Sequence, residues 1–482
     1  MAGSPVEEVE TFPVEFDETS LQVDTGLNSL QAIRQYATSP IYLQRMAYIQ
    51  GMAAAAAEAG HAASTQVLLP IIEELIEWDD DEVREAVAAQ LAPLASAWRA
   101  SGGEAARADI CSLLEQAAEL LRDDSEEVAA SAEAAVAGIA AALAPDDRRL
   151  QLLPILEELT SEEEEEDLVA TAARLLAAIA PAFLPEECET EVLERLLILA
   201  GDPRYAVRKE AAAALGGLAP HLPPPACLQR LLPAYLALAA DKIWAVRKEC
   251  AGILAGLAAL VPLEARRHHL VPLFDRLAGD VSHWVRNATL EHLGPFLATL
   301  EAADVSTGML QQFCGMAAAD VGFNDGALPL ACAFNFPAVL SRAGAPAWGQ
   351  LRPAYLRLVG SQVWRVRRSL AASMHEVAAL LGPQLALQDL WPAVQDLAHD
   401  SLPEVQEGLQ QNMAALLARL PPELRAVHVS LLAATLSHDC STWRGRVSLV
   451  EQMGPSARLL DLQGLGGRAG RNVWRHGGSG ID

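Results

Sequence analysis

The stretch DKIWAVRKECA (Asp241–Ala251) decides the fold, because its skeleton returns as DVSHWVRNATL (Asp280–Leu290). The dipeptide Val-Arg marks the register. It stands at 207–208, 246–247 and 285–286, two equal steps, and again at 366–367. Val405 follows Val366 by the same step, with Gln406 in the arginine slot. Upstream, Val83-Arg84 occupies the same place, and Gln44-Arg45 precedes it by one step. Val128 and Leu168 are the expected occupants of the slots between. A fixed period of about 40 residues predicts a repeat array, in which each unit buries its apolar face against its neighbours.

One unit shows the plan. From Ala226 to Ala239, Leu228, Leu231, Leu232, Tyr235, Leu236 and Leu238 recur at helical spacing. Asp241-Lys242-Ile243 makes a turn. Trp244 opens a second helix, which Cys250, Ile253, Leu254 and Leu257 continue inward, and Pro262 ends it. Pro233 lies inside the first helix, where a proline removes a backbone hydrogen bond and bends the chain. Pro70, Pro233, Pro272, Pro353 and Pro392 all keep one fixed distance ahead of Arg84, Arg247, Arg286, Arg367 and Gln406. Two independent marks in one register predict an all-α fold, an α-solenoid (superhelix) of about ten to eleven helix pairs over residues 27–462, with a divergent unit at 299–345. Residues 1–26 read as an acidic disordered start. Residues 463–482 read as a Gly- and Arg-rich disordered tail, or as the end of a truncated gene model.

Composition agrees. The chain has 482 residues, too many for one compact core, which stops growing at about 250–300 residues. A row of units avoids that limit. The net charge is −28, from 35 basic and 63 acidic side chains. So acidic a surface repels nucleic-acid phosphates and anionic membranes, and neither is an expected partner. The seven cysteines form no C-x-x-C and no zinc pattern, as in a reducing compartment. The start lacks a basic n-region, and prolines interrupt the longest apolar runs, so a cytoplasmic location is expected, with the nucleus as a further one.

Units of about 39 residues with Asp-x-x-x-x-Val-Arg before the second helix resemble HEAT repeats. The segments Asp241–Ala251, Trp284–Leu297 and Val363–Ala378 are also similar to the family of regulatory subunit 1 of serine/threonine-protein phosphatase 4, as are Leu30–Ser39 with Gln44-Arg45-Met46 and, more faintly, Trp443–Val447. The phosphatase 2A scaffold subunit is a related likeness. The resemblance implies a non-catalytic subunit that holds a serine/threonine phosphatase catalytic subunit and directs its choice of phosphoprotein substrates. The sequence holds no convincing cofactor or metal motif, and neither is expected. Two rivals come from other classes: a nuclear transport receptor of the importin-beta type, and a HEAT-like lyase needing a polar catalytic cluster.

The residues offer two candidate sets. Asp202, Asp241 and Asp280 are equally spaced, and Arg208, Arg247 and Arg286 follow them at one common offset. Each aspartate is expected to cap the helix it precedes, or to meet an arginine of the adjacent unit in a structural ladder. Trp244, Trp284, Trp364 and Trp443 stand at the starts of second helices. There they either set the stacking angle or serve as partly exposed anchors, a residue type enriched among interface hot spots. Lys242, Lys248, Arg365 and Arg368 flank these turns as basic points that an acidic partner surface would meet. Gly464–Ala469 formally matches a dinucleotide fingerprint but has no strand before it. Adjacent His268 and His269 make poor metal geometry, and the sequon at Asn287 lies in a packed helix.

Overall fold

The computed structural model describes residues 23–161, 165–318, 327–421, 425 and 443–459. Among these residues every regular element is a helix. The chain divides into two compact units, 1–223 and 224–482. In unit 1 the second helices are Tyr42–Gln50 with Met52–Ala59, Asp81–Gly102, Glu126–Ala142, Glu166–Ile179 and Tyr205–Leu218, each packed on the next. In unit 2 they are Trp244–Leu260, His283–Glu291 with Leu293–Ala298, Ala327–Ala343, Trp364–Leu381, Pro403–Gln410 with Met413–Leu417, and Trp443–Leu459. Each unit is a HEAT-like α-solenoid of helix pairs packed on their neighbours. The expected disordered start and the tail, including Gly464–Ala469, lie outside the described residues, except for residues 23–26, which lead into a turn. There Asp24 N–H donates to the Tyr36 hydroxyl at 2.9 Å.

The Val-Arg register has a direct physical basis. Val83, Val128, Val207, Val246, Val285, Val366 and Val405 are all fully buried, each at the start of a second helix. Burying such a side chain stabilises by about 1.5–3 kcal/mol. The fourth pair departs from the expected register: Val169, not Leu168, is the buried residue, and Leu168 is only half-buried. The chain runs one position longer there, so the arginine slot falls on Ala170. Ile253, expected inward, is also half-buried. Cys250, Ala251, Leu254 and Leu257 carry that face instead.

The recurrent proline does more than bend a helix. Leu153, Leu232, Val271 and Trp391 each donate their N–H to the carbonyl five positions back, at Arg148, Cys227, Arg266 and Ala386. The next residue in every case is a proline, Pro154, Pro233, Pro272 or Pro392. A proline ring clashes with the carbonyl four positions earlier and offers no N–H to it. One wide π turn moves that carbonyl away and keeps the helix continuous. Pro70 and Pro353, in contrast, sit inside His61–Leu75 and Trp348–Val359 with no such turn. The divergent unit keeps a pair, Thr307–Met316 and Ala327–Ala343, whose second helix runs through Pro337.

The near misses have structural explanations. Thr289 of the sequon is 1% exposed and donates to the Val285 carbonyl at 2.7 Å. His268 is exposed, and its ring nitrogen bonds the Glu264 main chain. Among the described residues no cluster of His, Cys, Asp and Glu could hold a metal, and no helix is long and apolar enough to cross a membrane. Burial pushes the thiols of Cys227 and Cys250 up, and that of Cys188 to about 11, which makes them core residues and not nucleophiles.

Candidate protein-interaction ridge

The arginine of each Val-Arg pair pins its own turn, and several also reach the next repeat. One terminal nitrogen, Nη1, donates to the carbonyl six positions back: Arg45 to Ser39, Arg84 to Trp78, Arg208 to Asp202, Arg247 to Asp241, Arg286 to Asp280 and Arg367 to Ser361. Gln406 keeps this bond, with Nε2 to the Asp400 carbonyl at 2.7 Å. That explains its presence in an arginine slot. The remaining fork reaches forward. Arg84 grips Asp123, Arg247 grips Asp280, and Arg367 grips Asp400, each through Nε and Nη2 at 2.6–3.0 Å. Arg45 meets Asp80 with one nitrogen at 2.9 Å.

The aspartates do not cap helices in the expected way. Asp202, Asp241, Asp280 and Asp400 accept from the N–H two positions on, at Arg204, Ile243, Ser282 and Leu402. The helices start later, and their N-cap residues make no side-chain cap. Two positions is the reach of an aspartate folding its own turn. Of the turn aspartates only Asp80, placed directly before its helix, accepts from the third residue on, Val83. Where a rung has no arginine, at Ala170, Asp202 turns to Arg204 in its own loop at 2.8 Å. An open groove of about 860 Å³ lies there, lined by Leu156, Glu157, Thr160, Arg195 and Ile198 among others.

The carboxylates of Asp123, Asp202, Asp280 and Asp400 are held below the ordinary aspartate range. For Asp123, Asp202 and Asp280 the guanidinium hydrogen bond from Arg84, Arg204 or Arg247 is the chief cause. For Asp400 burial pushes upward, and the Arg367 fork with the Leu402 N–H overcomes it. A second set of ties, absent from the sequence reading, joins first helices. Arg107 grips Asp147 with two nitrogens at 2.5 and 2.7 Å, Arg267 meets Asp304 at 2.7 Å, and Arg352 meets Asp389 at 3.0 Å. Their signal was an arginine followed by an aspartate about one period later, with no shared motif around either.

Because the pairs are in register within a unit, their turns line up along one edge. On unit 2 this edge is aromatic. Trp244 and Trp284 stack at 6.4 Å with their planes 26° apart, yet remain 44% and 47% exposed. Each indole braces its neighbour and still faces solvent. Ile243 and Val281 are exposed beside them, Val281 at 92%. His283 lies 4.5 Å from Trp284. Lys242 and Lys248, two of the three lysines in the whole chain, are exposed on the same turn and helix. Trp364 is half-buried, with the Arg365 guanidinium 5.8 Å over its ring, and Arg365 and Arg368 are exposed. Trp443 opens its helix, but its side chain lies outside the described residues.

Residues 332–435 match the model of the protein phosphatase 4 regulatory subunit 1 middle domain. The curated proteins named serine/threonine-protein phosphatase 4 regulatory subunit 1 from Homo sapiens and Mus musculus are 37% identical over 123 residues, 25% of this chain and 13% of theirs. The chain thus aligns with only a small part of those relatives. Among solved structures, that of Kap121p is similar with a TM-score of 0.59 at 16% identity, over 90% of this chain and 46% of that one. Kap95p, in a structure with RanGDP, gives 0.57 at 12% identity, over 89% and 63%. At such identities the likeness concerns the fold alone. The match at 332–435 contains the Trp364-Arg365 turn and the Arg367–Asp400 rung. Over this middle-domain segment the chain is similar to the protein phosphatase 4 regulatory subunit 1 family.

Proposed function

We propose that this protein is a non-catalytic regulatory subunit that holds a serine/threonine phosphatase catalytic subunit of the phosphatase 4 type and directs which phosphoproteins it reaches. The observation that carries the reading is the exposed Trp244–Trp284 stack on the turn edge of unit 2. A large apolar surface kept in water marks a contact site, and tryptophan is the residue type whose truncation costs most at interfaces. Lys242 and Lys248 give that contact an electrostatic bias toward an acidic surface. The family match supports the kind of partner. The protein itself performs no reaction in this reading, and its place is the cytoplasm and the nucleus.

The test is capture of phosphatase activity from a lysate by the full chain, beside the Trp244→Ala/Trp284→Ala variant. The parent should retain serine/threonine phosphatase activity. The variant should bind at least about thirtyfold more weakly, since each anchor is worth about 2 kcal/mol or more and the two share one contact. No phosphatase on the parent chain sinks the proposal. Equal capture by both chains removes the tryptophans from it.

A further inference from the structure

Residues 326–375 contain six arginines and no aspartate, glutamate or lysine, in a chain with 63 acidic side chains. The six arginines divide into two groups. Three hold the fold: Arg342 donates to the Ala298 carbonyl at 2.7 Å, Arg352 meets Asp389 and Arg367 meets Asp400. The other three, Arg357, Arg365 and Arg368, are exposed, and among the described residues no carboxylate lies within ion-pair distance of them. They are set together by the topology. Arg357 is in the last turn of Trp348–Val359, and Arg365 and Arg368 are in the first turns of Trp364–Leu381, on either side of the short turn 360–363. Trp364 and Leu356, the latter 38% exposed, are part of the same turn and helix end.

We infer that this turn is a docking site for an acidic, carboxylate-rich extended segment of a partner protein. Charge complementarity carries the inference. An arginine fork left without an acceptor on a strongly acidic protein is a local reversal of field, and it draws negative charge to one place on the surface. The same two helices show which acceptor suits these forks. Arg352 and Arg367, their immediate neighbours, each take one aspartate. The unpaired forks are spread over two helix ends, which matches several single charges along a strip better than one compact dianion. The inference deepens the docking role of the turn edge, but adds a second foothold separate from the Trp244–Trp284 stack.

The test uses the full chain and a fluorescein-labelled peptide of alternating glutamate and serine, followed by fluorescence anisotropy. The parent should bind it, less tightly as salt rises. The Arg357→Gln/Arg365→Gln/Arg368→Gln variant should bind about tenfold more weakly, the sum of three exposed pairs. The triple Arg→Lys variant should retain most of the binding, and Lys242→Gln/Lys248→Gln should change little. All three arginines are exposed, so thermal melting should show the variants folded. Equal affinity of parent and Gln variant overturns the inference. So does an equal loss in the Lys242→Gln/Lys248→Gln variant, which means general surface charge. Tighter binding of a peptide with phosphoserine in place of glutamate, or of a single-stranded oligonucleotide, overturns it in favour of a phosphate site. The Trp244→Ala/Trp284→Ala variant separates this from the phosphatase reading: it should lose phosphatase capture while keeping peptide affinity.

Discussion

The turns of unit 1 and unit 2 share one backbone plan, but three turns of unit 1 are acidic where three of unit 2 are aromatic or basic. In unit 1 three turns expose Asp79, Asp81 and Glu82, then Asp124, Glu126 and Glu127, then Glu165 and Asp167, while its other two expose Tyr42 with Leu43 and Tyr205. In unit 2 three turns expose Lys242, Ile243 and Trp244, then Val281, His283 and Trp284, then Gln362 and Arg365. The rungs beneath are alike: Arg84–Asp123 in unit 1 is built as Arg247–Asp280 and Arg367–Asp400 are in unit 2. A repeat therefore separates two tasks. The slot arginine and the turn aspartate hold the stack, and the residues between them are free to choose a partner.

The largest expected effect tests the shared part. Arg84→Ala and Arg247→Ala each strand a carboxylate that is 8% or 9% exposed and lose a turn carbonyl bond. Each should cost about 3 kcal/mol, measured by urea unfolding. A much smaller loss in one unit would break the equivalence of the rungs. Acid should act on the same groups. Their folded pKa values are depressed, so their stabilisation is complete above the ordinary aspartate value of about 3.9 and is lost as the pH falls through the lower folded value. The triple variant Asp123→Asn/Asp280→Asn/Asp400→Asn should melt lower than the parent at neutral pH, yet lose less of its Tm on acidification. Parallel curves would show that the rungs contribute nothing through charge.

A finer contrast lies inside unit 2. Tyr235 and Tyr355 occupy the same place in first helices, and both are fully buried. The Tyr235 hydroxyl donates to the Cys250 carbonyl at 2.8 Å, whereas that of Tyr355 has no partner among Phe336 and Trp348. Tyr235→Phe should destabilise by about 1 kcal/mol, and Tyr355→Phe should be neutral or stabilising, read from melting. Equal losses would mean that the Tyr355 hydroxyl is satisfied in solution. The smallest effect belongs to the acidic turns. Asp79→Asn with Asp124→Asn should shift stability by less than about 0.5 kcal/mol, because those side chains are exposed. They should also leave phosphatase capture unchanged, and a loss of capture would move part of the contact to unit 1.

Much of this was legible in the sequence because the repeat is a local pattern. Valine before arginine predicts a buried residue beside a rim residue on one helix turn, and the spacing gives the pair. The aspartate's role was less legible. Whether its N–H partner lies two or three positions on separates a turn from a helix cap, and the helix start that decides it is a matter of backbone geometry. Leu168 was the expected anchor because the average period points to it, while the longer step from Val128 puts Val169 inside. The Arg107–Asp147, Arg267–Asp304 and Arg352–Asp389 ties carry no common motif, so only their spacing marked them before the helices were placed.

The sequence by itself determined that helices form in pairs, which face of each is apolar, and which residues occupy the turns, since all three follow from spacing within about 40 residues. Only the tertiary structure decided which charges are consumed and which are left over. Arg367 and Arg368 are neighbours in the chain, yet one is locked onto Asp400 and the other stands in water. The difference arises because one residue's rotation on a helix turns a side chain from the next unit toward solvent, and that direction exists only once the units are stacked.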